Sequence, residues 1–235
     1  PVGLCFPYGR FRDLHLAHHR DERLTDPYDD PESNFLDPKV WVGLPRWRKA
    51  VLRFNNTLFG RMAIGPALSV IAILRDDLRA IRAGDRRIAR DWGLHLAGLV
   101  LVGIWIAVTA MPLWAYVLSA YLGMSVLKIR TFLEHRAHAE APGRTVVVEN
   151  GGVLGFLFLY NNLHIVHHTK PRVPWYRLPA LYAAEREAFL ARNHGYSYRS
   201  YGADLRALSP EGQGSGAASA SSLELSLRRL VSVSA

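Results

Sequence analysis

Cysteine is nearly missing from this chain: Cys5 stands alone among 235 residues. That excludes an intramolecular disulfide and removes the thiolate zinc and iron–sulfur sites, which need several sulfurs. Charge is missing too, since no Asp, Glu, Lys or Arg occurs from Trp92 to Leu127. A charged-then-apolar signal sequence is not recognisable, and the chain begins at Pro1, so it reads as a fragment of a longer protein. Ser209 to Ala235 is mostly Gly, Ser, Ala and Leu and lacks the composition of a packed domain. A single domain over residues 1–207 is therefore expected, followed by a low-complexity, disordered tail at 208–235.

What is present is unevenly spread. Hydrophobic residues make up 49% of the chain and the formal charge is +9, mostly from arginine. A strongly basic chain raises nucleic acid as a partner. Here, however, Arg86, Arg87 and Arg90 precede the uncharged run, and Lys128 and Arg130 follow it. Basic residues in those places mark the cytoplasmic ends of membrane helices, so a membrane and no nucleic acid is expected. Met111 and Pro112 divide the run into two spans of roughly 17 residues, a helical hairpin over about 92–127. Two further apolar runs, Met62 to Leu74 and Gly151 to Tyr160, are too short to cross a bilayer. Pro1 to Arg48 is polar, with a turn-rich centre from Asp26 to Pro31. The expected fold is an all-α, multi-pass membrane helical bundle with a cytoplasmic, histidine-rich metal-binding cap.

Histidine carries the chemistry. Of ten histidines, six fall in two copies of one pattern: His15, His18, His19 and His164, His167, His168. Spacing of i, i+3, i+4 puts three imidazoles on one helical face, as a metal ion requires of a single helix. His135 and His138 repeat the i, i+3 step, whereas His95 and His194 have no partner at ligand spacing. A structural zinc takes four ligands and an octahedral ion about six, so this many imidazoles exceeds one ion. Two metals held mainly by neutral nitrogen is the economical reading.

The segments Leu14-His15-Leu16-Ala17-His18-His19-Arg20 and Asn162-Leu163-His164-Ile165-Val166-His167-His168, with an uncharged hairpin between them, resemble the membrane fatty acid desaturase and hydroxylase superfamily. The resemblance runs from about Asp13 to Pro179. It implies that the two triplets are the family's second and third histidine boxes. Arg130-Thr131-Phe132-Leu133-Glu134-His135 is then the candidate for a further ligand between them. The first box and its upstream helices would precede Pro1. The resemblance implies metal ligands His15, His18, His19, His135, His138, His164, His167 and His168. It further implies two Fe ions, O2, a lipid or fatty acyl substrate, and an external electron donor such as a ferredoxin-type protein. Desaturation of an acyl chain is the first expectation. A hydroxylase or ketolase acting on another lipid, such as a carotenoid, and a non-catalytic membrane metal-binding protein are the alternatives.

If both triplets serve one site, an even number of spans must separate His19 from His164; the hairpin supplies two. Met62 to Leu74 and Gly151 to Tyr160 are accordingly expected at the interface or as re-entrant segments. Asp13, Asp21, Glu22 and Glu134 stand near the boxes and are candidates to accept the second ring N–H of a ligand histidine. Asn161 and Asn162 are candidates for an outer hydrogen bond, whereas the acidic turn from Asp26 to Glu32 reads first as a surface loop.

Overall fold

The computed structural model describes residues 5–19, 24–33 and 35–202; Asp21, Glu22 and the expected tail lie outside them. The described chain is mostly helical: α1 (Tyr8–His18), α2 (Pro38–Gly43), α3 (Arg46–Asn55), α4 (Leu58–Arg82), α5 (Arg86–Val108) and α6 (Leu113–Leu133). Strand β1 (Val147–Asn150), α7 (Gly152–Leu157), α8 (His164–Thr169), α9 (Leu178–Arg192) and strand β2 (Ser197–Ser200) follow. The all-α expectation thus needs one correction, because β1 and β2 pair in parallel, Val147 opposite Ser197. The run Thr145-Val146-Val147-Val148 favours extended backbone. Its alternation sends Val146 and Val148 into one core with Phe132, Leu133, Phe158 and Tyr196, and Val147 into a second with Leu163, Val166, Leu178 and Phe189. This two-sided cap stands at the end of α6.

The helix boundaries follow local chemistry. Thr57 caps α4 by accepting from the Gly60 N–H, and Asp85 caps α5 by accepting from the Arg87 and Ile88 N–H groups. Between α5 and α6, residues 109–112 form the break expected at Met111 and Pro112. Leu101 and Val108 on α5 and Trp114 on α6 are 69, 80 and 68% exposed, apolar faces that no described residue covers.

The expectation for Met62 to Leu74 is overturned in its length. The run sits inside the 25-residue α4, which with α5 is long and apolar enough to cross a membrane. α6, the second arm of the expected hairpin, is not in that pair. The sequence hid this because Arg61 and Arg75 bound the run, yet Arg61 is buried, bonded to the Asn55 carbonyl and lying over Phe132. Both ends of α4 meet the cap side. Leu58 packs on the cap core, and Asp77 accepts from Trp92 Nε1 (2.8 Å) near the start of α5 and from Arg10 Nε (2.7 Å) on α1. α1 bridges the same two places, with Asp13 paired to Arg87 and His18 against His135. Gly151 to Tyr160 forms the short α7 and a turn in which Leu159 and Tyr160 take left-handed backbone, φ 53° and 54°. That turn leaves Val153, Phe156 and Leu157 exposed and reverses the chain into α8.

Candidate metal centre

Seven of the eight proposed ligands converge from three elements. α1 presents His15, His18 and His19 (the last its C-cap), the end of α6 delivers His135, and α8 presents His164, His167 and His168. They sort into two groups: His18, His135, His164 and His168, and beside them His15, His19 and His167. In each group the donor nitrogens lie within 4.8 Å of one another. The His19 and His168 rings stack across the two groups at 4.3 Å.

Outer partners fix which nitrogen points inward. His18 Nδ1 lies 2.8 Å from the buried Asp30 carboxylate, His15 Nδ1 is 3.3 Å from Glu32, and His164 Nδ1 is 2.8 Å from Asn161 Oδ1. An acceptor at Nδ1 holds the proton there and leaves the Nε2 lone pair facing the centre. The Nε2 atoms then meet each other: His18 to His135 at 3.0 Å, His135 to His164 at 3.1 Å, His164 to His168 at 3.2 Å. In the second group His19 Nε2 is 3.1 Å from that of His15 and 3.0 Å from that of His167. Converging lone pairs repel unless a cation lies among them. Metal–nitrogen bonds of about 2.1 Å at right angles would space their donors by about 3.0 Å. The donor set therefore fits metal.

Electrostatics agree with neutral ligands around a cation. Burial, reinforced by neighbouring imidazoles, holds His135 and His164 well below the ordinary imidazole pKa and lowers His19 and His167 to about 3. At His18 burial works the same way but is outweighed by the bond to Asp30 and by Glu32 and Glu134, so its pKa is raised. Positive charge is favoured at that point of the site. Glu134 Oε1 lies 3.6 Å from His164 Nε2 and 2.9 Å from Arg130 Nε.

His138 is not brought to either group. The helix stops at Leu133, so an i, i+3 step beyond it no longer shares a face; His138 Nδ1 bonds around Glu140 and its ring lies 4.8 Å from that of His194. His95 is buried on α5 against Trp92, away from both groups. Asp13 binds Arg12 and Arg87, not histidine, and Asn162 bonds the Val148 carbonyl. The larger correction concerns the acidic turn. Read as a surface loop, it supplies Asp30 and Glu32, the carboxylates that orient His18 and His15. The signal was available: acidic residues in a tight turn just after a histidine box can fold back on it.

The arrangement sets two adjacent groups of imidazole donors, each with the chemistry of a metal site, on the cap side of α5 and α6. Comparison with curated proteins and with solved structures finds no match. A family model, described as fatty acid desaturase, matches residues 1–202. With that match over most of its length, the chain belongs to the fatty acid desaturase family, whose members are membrane-associated oxidoreductases acting on lipids.

Proposed function

We propose that the full-length protein is an O2-dependent, di-iron enzyme that desaturates the acyl chain of a fatty acid or lipid, drawing electrons from an external ferredoxin-type or similar redox protein. The observation that carries this reading is the pair of adjacent imidazole groups, four and three nitrogens, in a chain of the desaturase family. Bound iron would supply O2 activation and removal of hydrogen from an unactivated C–H bond. The ligands are His18, His135, His164 and His168 for one ion and His15, His19 and His167 for the other, with His138 set aside. Asp30, Glu32 and Asn161 hold three of these rings by their Nδ1 protons, so ligand geometry does not depend on the ion alone. The apolar surfaces of α5, α6 and α7 offer the substrate a water-poor approach to the cap.

Connectivity supports one placement. With α5 and α6 as the spanning pair, α1, α4 and α8 all belong to the cap side, and α4 lies at the interface because both its ends meet that side. The proposed location of this side is the cytoplasmic face of a bacterial inner membrane; the basic flanks of the pair support the orientation. Hydroxylation or ketolation of another lipid shares the same hydrogen abstraction and is the second reading. Lipid analysis of cells expressing the full-length gene separates the two. Desaturation removes two hydrogens from the product mass and hydroxylation adds an oxygen; an unchanged lipid profile beside an inactive control would refute both.

A further inference from the structure

Between Asp37 and Asp76 the sequence holds no carboxylate. Within that span lie Lys39 on α2 and Arg46, Arg48, Lys49 and Arg53 on α3, and none of these five is in an ion pair among the described residues. Helical spacing sorts α3 into stripes. Arg46, Lys49 and Arg53, at i, i+3, i+7, share one face; Trp47, Val51 and Phe54, at i, i+4, i+7, share another. Trp47 is 64% exposed, and Val42 at the end of α2 is 75% exposed. The apolar stripe continues into α4, because Phe54 meets Phe59 edge-to-face at 6.1 Å and Phe59 is 73% exposed.

A cationic face beside an aromatic one, on a helix leading into an apolar helix of membrane length, is the pattern of a helix lying in a bilayer surface. A solvated structural helix would carry acids among its bases, and an acidic redox protein would not call for exposed Trp47, Phe54 and Phe59. We infer that α3, with the end of α2, lies in the membrane surface and gathers anionic lipid headgroups along Arg46, Lys49 and Arg53. This rests on the membrane placement proposed above but not on the oxidation chemistry.

The test uses the full-length protein, with Cys5 and any cysteine outside this sequence replaced by serine, in lipid nanodiscs of equal phosphatidylglycerol and phosphatidylcholine. A fluorophore is placed at Val42→Cys or, as a depth control, at Leu101→Cys on α5, which is 69% exposed. Either lipid is then supplied with brominated, quenching chains. At position 42 brominated phosphatidylglycerol should quench about threefold more than brominated phosphatidylcholine. That preference should shrink at about 1 M salt and vanish in the triple variant R46Q/K49Q/R53Q. The control at position 101 should be quenched equally by both. Equal quenching by the two lipids at position 42 overturns the headgroup selection. No quenching there, with position 101 quenched, places α3 away from the bilayer, and protection of that label by an acidic redox protein would make it a protein-docking face instead. If position 101 is not quenched either, the membrane placement itself fails.

Discussion

Asp30→Ala is the most informative single change, because Asp30 lies outside the histidine motifs yet organises one of the two groups. Its Oδ1 accepts from the Glu32 N–H at 2.9 Å and faces His18 Nδ1 at 2.8 Å, while its Oδ2 accepts from the Thr25 N–H at 2.9 Å. The side chain is buried, so water does not readily replace it. Loss of an outer partner of a metal-bound imidazole costs about 10–100-fold in metal affinity, or roughly 1.4–2.7 kcal/mol. The two freed backbone donors add a stability loss of about 1 kcal/mol or more if either stays buried. The assay titrates iron into metal-free full-length protein and follows occupancy together with thermal unfolding. Asp30→Ala should weaken one of two equivalents by the stated factor and leave the other, since His15, His19 and His167 keep their contacts. Asp29→Ala, at an exposed neighbouring position, should change neither measurement. Two undisturbed iron sites in Asp30→Ala would refute the claim that Asp30 sets the His18 ring.

Other outcomes follow from the same geometry. In an alanine scan scored by product per amount of inserted enzyme, His15, His18, His19, His135, His164, His167 and His168 should each abolish lipid oxidation, whereas His95, His138 and His194 should leave most of it; activity kept in two or more of the first set would mean they are not the site. Metal-free protein should lose stability as the pH falls below about 6.5, because the buried His135 and His164 have lowered folded-state pKa values, so the unfolded chain takes up more protons there; the slope is at most about 1.4 kcal/mol per pH unit for each. The raised pKa of His18 opposes this in part, and melting temperatures that stay level from pH 8 to 5 would contradict it. Reporters fused near Met111 should read the far side of the membrane and those near Arg86 and after Arg130 the cytoplasm; Arg86 and Arg130 on opposite sides would break the shared site.

Six of the clustered histidines were legible in the sequence as two sets, because i, i+3, i+4 spacing is a local property and the two triplets needed only to be folded together. The sequence's failures were of other kinds. His138 looked like a ligand because spacing alone does not reveal that α6 ends at Leu133. Asp30 and Glu32 were set aside because turn composition describes a loop without saying what it folds against. The length of α4 was missed because a buried arginine, Arg61, bounds the apolar run as an exposed one would. The short strands pair residues about 50 positions apart, Val147 with Ser197, which no local pattern encodes.

Iron content is the most direct measure of the central claim that two adjacent imidazole groups hold two iron ions. Full-length protein purified gently in detergent should contain about two iron atoms per chain. His164→Ala and His167→Ala, one from each group, should each lose about one of them. One stoichiometric zinc with no iron requirement for lipid oxidation, or a single iron lost completely in both variants, would contradict the account.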